Sequence, residues 1–347
     1  MFKSSSDKKN LLRRAAGWKP SFLITIDTEG DNCWESEGEP ETRNARFLPR
    51  FQSLCEAHGL SPTYLTNYEM MQDEFYREFA ADCLRRGKAE IGMHLHAWNN
   101  PPLIPLTSDD RKFKPYLMEY PEPVMIEKIR TITRILEDFF QVKMRSHRSG
   151  RWAFNSPYAK MLASEGYDVD CSVVPGFSWK HHPGKPDGPG GSDYRKFPRR
   201  EYFLNLDDIS RPGISRLLEI PVSSYDRNAF IKRVFLAGFP DRIRERVMHR
   251  LGPGLIILRP DGRNLTGLLE IVENAVIKGH SCLEFMIHSS ELMPGGSIYF
   301  RTEPEVEKLY EDLEALFSRV SSDFTGMTLS EHYDRLVADG SAVSKAV

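Results

Sequence analysis

From residue 20 onward, short apolar runs alternate with stretches of helical periodicity. The first run, Phe22-Leu23-Ile24-Thr25-Ile26, stops at Asp27 and opens into the polar loop Thr28-Glu29-Gly30-Asp31-Asn32. Phe47, Phe51, Leu54, Cys55 and His58 then recur at helical spacing until Gly59 ends the pattern. A short strand, Thr63-Tyr64-Leu65-Thr66, is followed by a helix with Phe75, Phe79, Cys83 and Leu84 on one face. Next comes Ala89-Glu90-Ile91-Gly92-Met93-His94-Leu95-His96-Ala97-Trp98, an apolar run ending in two histidines one residue apart. After a proline-rich loop at 99–105, Ile129, Ile132, Leu136 and Phe139 mark a helix, and Lys143-Met144-Arg145-Ser146-His147 a strand ending at Arg148. Asn155, with Pro157 behind it, suits a helix start. The strand Tyr167-Asp168-Val169-Asp170-Cys171-Ser172 follows, and further strands are expected at 217–222, 255–258 and 282–287, with a last helix near 303–320. Strand and helix in alternation predict parallel pairing through right-handed crossovers.

Polar residues discriminate between the two α/β architectures that this alternation allows. Asp27, the pair His94 and His96, Arg148, Asp170, Arg259 and His288 each stand where an apolar strand ends. In a (β/α) barrel those ends converge on one face, whereas an open sheet spreads them in a line. Convergence favours the barrel. The region from 175 to 211 is rich in Gly, Pro, His and charge, as in a lid-like insertion.

Composition narrows the classes further. A chain of 347 residues with a net charge of −2 has no need of a nucleic-acid partner. The basic leader at 1–19 lacks an apolar core for a signal peptide, and no stretch approaches a spanning helix, so a cytoplasmic protein is expected. Cys33, Cys55, Cys83, Cys171 and Cys282 are odd in number and scattered, as reduced thiols are, rather than a disulfide framework or a Cys-rich zinc site. The stretch 227–250 is basic and partly amphipathic, which suits peripheral contact with an anionic membrane or a solvent-facing helix.

The chemistry centres on the histidine pair. On a strand, alternate side chains share a side, so His94 and His96 can grip one metal ion, although two histidines closing a sheet edge would read the same way. One pocket would also hold carboxylates at Asp27, Glu29 and Asp31, the Arg148 guanidinium and the His288 imidazole. Two histidines and one carboxylate form a catalytic zinc set that leaves a position for water. Trp34, Trp98 and Trp152 lie near these motifs and suit the apolar face of a sugar as well as they suit core packing.

Five segments in order, Thr25-Ile26-Asp27-Thr28-Glu29-Gly30, Glu90-Ile91-Gly92-Met93-His94-Leu95-His96, Arg148-Ser149-Gly150-Arg151-Trp152, Asp168-Val169-Asp170-Cys171-Ser172 and Phe285-Met286-Ile287-His288-Ser289-Ser290-Glu291, resemble the motifs of polysaccharide deacetylases with the NodB-type domain. The tight histidine pair, with Trp98 at the common third-ligand position, resembles a divergent branch associated with lipopolysaccharide-type biosynthesis. The resemblance implies a distorted (β/α) barrel over 20–325 as a single domain, with a C-terminal tail at 326–347. It implies a divalent metal, zinc first, on Glu29, His94 and His96, with Asp31 as the competing carboxylate. Asp27 would be the general base, Arg148 its partner and His288 the general acid supported by Asp170. Trp98, Arg151 and Trp152 would meet an acetylated sugar or glycan. A barrel metallohydrolase of another ester or amide, and a non-catalytic glycan-binding descendant, are the competing readings; oligomeric state is not legible.

Overall fold

In the computed structural model, which describes residues 18–31, 40–181, 190–228 and 254–340, β1 (Ser21–Thr28) is buried along its whole length. A strand so apolar must be covered on both faces. Its side chains alternate accordingly. Phe22, Ile24 and Ile26 pack outward into the layer beneath the helices. Leu23 packs inward with Leu65, Val169, Leu218 and Ile220. Thr25 and Asp27 follow Leu23 on the inner side, and this places the site inside the ring of strands.

Parallel partners flank β1. On one side lies β10 (Cys282–His288), in a register that sets Ser21 against Cys282 and Asp27 against His288. On the other, β2 (Pro62–Thr66) pairs with its second half and β11 (Thr325–Met327) with its first. The sheet continues through β3 (Glu90–Leu95), β4 (Ser146–Ser149), β5 (Val169–Asp170) and β7 (Leu218–Glu219), with β6 (Tyr202–Phe203) antiparallel at the far end. The crossovers run through α1 (Leu48–Ala57), α2 (Glu74–Arg85), α3 (Glu122–Phe140) and α4 (Ser156–Ser164), and α5 (Leu265–Lys278) and α6 (Glu303–Asp323) flank β10 in sequence. Local signals set the helix starts: Asp73 accepts from Tyr76 N at α2, and Asn155 accepts from Tyr158 N at α4, where Pro157 occupies the first turn.

The ring closes irregularly. Past β7 the chain leaves the ladder and bridges the gap by single bonds: Val222 N donates to Val173 O at 2.9 Å, Ser223 N to Glu284 O at 3.0 Å, and Leu258 N to Ser223 O at 2.7 Å. Pro221 has no N–H to contribute there, so a continuous ladder cannot form. The result is a single-domain distorted barrel. A small antiparallel pair, β8 (Ser224–Asp226) and β9 (Leu255–Ile257), lies beside the closure.

Two features depart from expectation. Residues beyond 325, expected as a tail, carry β11 and α7 (Leu329–Ala338), whose Leu329, Tyr333 and Leu336 join the inner cluster around Leu23 and Leu65. The two elements escape a periodicity reading because β11 is only three residues long and α7 only ten. The region at 190–211 contributes β6 rather than loop alone. Most of the leader, Cys33, Trp34, His182 with the Gly/Pro run at 183–189, nearly all of the basic stretch and the chain end at 341–347 lie outside the described residues. No helix among the described residues is long and apolar enough to cross a membrane.

Candidate active site

The carboxyl ends of β1, β3, β4 and β10 bring the inward-facing polar residues together. Register explains the grouping: Asp27 lies beside His288, and His94 beside Arg148. His96 follows two residues after His94 and turns to the same side, with the two Nε2 atoms 2.9 Å apart. Glu29 Oε2 lies 3.3 Å from His94 Nε2 and 2.8 Å from His96 Nε2. Ligand atoms of these three residues all lie within 4.8 Å of one another. Asp31, the other carboxylate of the loop, turns away and binds Asn44 N at 2.9 Å and Arg43 N at 3.1 Å.

Several observations fit this trio to a divalent cation. His94 Nδ1 donates to Arg148 O at 2.9 Å, which leaves the Nε2 lone pair facing Glu29 and His96. Glu29 Oε1 is buried without a hydrogen-bond partner. Burial pushes the His96 pKa down to about 4 against the pull of Glu29, so its imidazole is neutral, as a ligand must be. Burial would also depress His94, but Asp27 and Glu29 outweigh it and raise its pKa, the mark of a position that favours positive charge. Ser289 Oγ accepts from Glu29 N and donates to Glu29 O, each at 3.1 Å, and Asn44 Nδ2 donates to the same carbonyl at 2.8 Å, so the ligand loop is fixed by its backbone. A Cβ on Gly150 would stand 2.7 Å from His96 Cδ2 and 2.5 Å from Leu95 O, so only glycine lets the chain leaving β4 pass this close beneath the ring.

Arg148 crosses the barrel interior like a spoke. Its Nη1 donates to Asp27 Oδ1 at 2.7 Å, its Nη2 to Glu284 Oε1 at 2.5 Å and to Thr25 Oγ1 at 2.9 Å, and its Nε to Cys171 O at 2.9 Å. The guanidinium is fully buried. Burial acts to raise the Asp27 pKa, but Arg148, with His94 and His288, more than offsets it, and the carboxylate stays ionised below its ordinary range. Glu284 keeps a raised pKa because burial outweighs Arg148.

The partner of His288 differs from the expected one. Asp170 lies in register with His147, one residue before the inward-facing Arg148, and both therefore point away from the interior. Asp170 Oδ1 receives His147 Nδ1 at 2.6 Å and Ser172 Oγ at 2.9 Å, and His147 Nε2 meets Tyr158 Oη at 2.8 Å. His288 instead has Glu291, three residues on in a tight turn, with Oε2 at 2.9 Å from its N–H and 3.3 Å from Nδ1. Arg259 Nη2 donates to Glu291 Oε1 at 2.6 Å. Burial acts to raise the Glu291 pKa, yet Arg259 and His288 hold it down to about 2. On the other edge of the ring, His288 Nε2 is 3.7 Å from Asp27 Oδ2.

Above these groups opens a cavity of about 410 Å³, lined by Asp27, Glu29, His94, His96 and His288 and walled by Tyr116, Arg151, Trp152, Trp179, Arg259 and Tyr299. Trp152 and Trp179 stack with centroids 4.9 Å apart. Arg151 and Trp152 both take left-handed backbone angles, φ 53° and 51°, and Tyr194 Oη donates to Trp152 O. Trp98 is not among the lining residues; it packs edge-on against His96 at 4.4 Å and lies under the Arg151 guanidinium. Sequence reasoning missed Tyr116, Trp179, Tyr299 and the role of Arg259, which carry no spacing signal, whereas Glu291 was visible as the end of the His288 motif.

Glu69 stands behind the site, accepting from Gly30 N at 2.8 Å and from Asn99 Nδ2 at 2.8 Å. Burial raises its pKa from 4.5 to about 7, with Glu29 adding to the rise. The folded chain therefore holds this proton more tightly than the unfolded one, and stability falls as pH climbs from 4.5 to 7. Glu69→Gln should remove that fall, a difference on the order of 3 kcal/mol above pH 7. An Asn99 amide flip would receive the new donor, since its Oδ1 has no partner. Urea unfolding at pH 5 and pH 8 checks this; equal pH dependence in both proteins would refute it.

No family model matches the chain, and no curated protein sequence matches it. Solved structures share the fold. A proposed glycoside hydrolase/deacetylase from Parabacteroides distasonis aligns at TM-score 0.56 and 11% identity, over 91% of this chain and 71% of that one. A proposed polysaccharide deacetylase from Mycobacterium smegmatis aligns at TM-score 0.51 and 15% identity, over 93% and 92%. A GH57-type branching enzyme from the archaeon Pyrococcus horikoshii aligns at TM-score 0.50 and 10% identity, over 92% and 71%. Identities this low establish the fold and leave the chemistry to the site itself.

Proposed function

We propose that the chain is a metal-dependent deacetylase that hydrolyses acetyl groups, N-acetyl first, on a sugar or glycan precursor. One observation carries this reading: Glu29, His94 and His96 present three ligand atoms to one point, with Asp27 and His288 beside them in the same cavity. Glu29, His94 and His96 would hold the ion, and the mixed nitrogen and oxygen set suits zinc. When bound, such an ion lowers the pKa of water and polarises an acyl oxygen.

The remaining steps fall to the chain's own side chains. Asp27, anchored at Oδ1 by Arg148, presents Oδ2 to the cavity as acceptor for the proton of the attacking water. Its depressed pKa keeps it free to accept at neutral pH. Glu291 faces Nδ1 of His288 and favours a proton there, which directs Nε2 toward Asp27 and the cavity. From Nε2 the ring can deliver a proton to the departing amine, and Glu291, anchored by Arg259, steadies the imidazolium, the task first expected of Asp170. The aromatic walls, Trp152 and Trp179 with Tyr116 and Tyr299, suit the apolar face of a sugar ring, and they narrow access of bulk water. Arg151 shields Trp98 and reaches the same wall, where it would meet sugar hydroxyls or an acidic substituent. The tight His94 and His96 pair favours a lipopolysaccharide-type precursor.

Acetate release from a panel of acetylated sugars and glycans tests the proposal. Activity should appear with zinc, vanish with a chelator and return when the ion is restored. A protein that holds one equivalent of metal at this site yet releases no acetate from any acetylated sugar would refute the deacetylase reading.

A further inference from the structure

At the opposite end of the barrel, Glu201, Cys282 and His332 form a second group whose ligand atoms lie within 4.8 Å of one another. Its position is particular. Glu201 precedes β6 and Cys282 opens β10, and these strands are the two ends of the ladder path. His332 comes from α7, which fills the barrel floor. The group therefore spans the seam left by the irregular closure, remote in the fold from the cavity at the carboxyl ends of the strands.

Hydrogen bonds orient the three donors. Glu201 accepts from Ser281 Oγ through one oxygen and from Cys282 Sγ, at 3.6 Å, through the other. Ser21 Oγ directs its own proton to Met327 Sδ at 3.3 Å, so it receives Nδ1–H of His332 at 2.8 Å. With Nδ1 donating to Ser21, His332 Nε2 carries the lone pair. The side chain is fully buried, and Nε2 has no hydrogen-bond partner. An imidazole held by a neighbour at one nitrogen, with a bare lone pair at the other beside a thiol and a carboxylate, is the arrangement of a ligand awaiting its ion. Thiolate, imidazole and carboxylate together suit zinc or cobalt(II) better than calcium or magnesium, which take oxygen donors.

We propose that Glu201, Cys282 and His332 bind a structural divalent ion of the zinc class, a clasp across the barrel seam independent of the catalytic metal. Binding exchanges ligands without redox change: the Cys282 thiol releases its proton to solvent as the sulfur–metal bond forms, a Glu201 oxygen and His332 Nε2 donate lone pairs, and a water completes four-coordination.

The test uses the His94→Ala/His96→Ala double variant, which lacks two of the three ligands of the first site. Purified, stripped and titrated with cobalt(II), it should take up one equivalent, show a thiolate-to-cobalt charge-transfer band in the near ultraviolet, and melt higher with cobalt than with chelator. Adding Cys282→Ser should abolish the band, and so should adding His332→Gln, which serves if the serine variant fails to fold. A folded double variant that shows no such band, or a band that survives either substitution, would overturn the proposal. Because both histidine ligands of the first site are absent throughout, neither result bears on the deacetylase reading.

Discussion

Asp27→Asn should lower acetate release by about 10²–10⁴-fold while leaving the metal content unchanged. The substitution is nearly isosteric and keeps an oxygen for Arg148 Nη1, so the interior network loses a charge and a proton acceptor but little shape. Glu29, His94 and His96 are untouched, and one equivalent of ion should still bind. Steady-state rates with the substrate found in the acetate assay, beside metal analysis of the same sample, separate the two effects. A metal-replete variant working at the native rate would exclude Asp27 as the proton acceptor; a variant that loses its metal would show that Asp27 acts on the ligands instead.

Arg148→Met should cost about 3–5 kcal/mol of stability, because it leaves buried carboxylates without their cation. Asp27 and Glu284 both rely on this guanidinium, and each is almost wholly excluded from water. Without Arg148 the depressed pKa of Asp27 must rise, and the raised pKa of Glu284 must rise further. The deficit should therefore be larger at pH 8 than at pH 5, where protonation relieves part of it. Adding Glu284→Gln should restore some of the loss, and a double-mutant cycle measures the coupling. A loss below about 1 kcal/mol by urea unfolding would mean that water or rearrangement replaces the guanidinium, contrary to the spoke described above.

Much of the site was legible because strand alternation and strand ends are written in the sequence. His94 and His96 share a side by simple alternation, and Asp27, Arg148 and His288 each end an apolar run, so their convergence followed once a barrel was assumed. Asp170 shows where that logic stops. It too ends a strand, but its direction depends on the register of β5 against β4, which pairs it with the outward His147. Glu284 was hidden for a related reason: a single carboxylate inside the apolar run Leu283-Glu284-Phe285 becomes meaningful only when Arg148 is seen to reach it from a strand far away in sequence. Trp179 reaches the cavity from an irregular segment whose path has no period to read, and Tyr299 likewise. The floor of the barrel was missed because β11 and α7 are short, although Thr328 with Glu331 is a capping pair that marks the start of α7.

The left-handed backbone at Arg151 and Trp152 sets a limit on how this protein can evolve. Two consecutive residues with side chains in a conformation that glycine adopts freely cost about 1–3 kcal/mol each, and they line the wall of the cavity. Selection for stability alone would replace them with glycine and erase the wall. Where Arg151 and Trp152 persist among descendants of this chain, the turn is under selection for what it binds, in a trade between robustness and activity made at one bend of the chain.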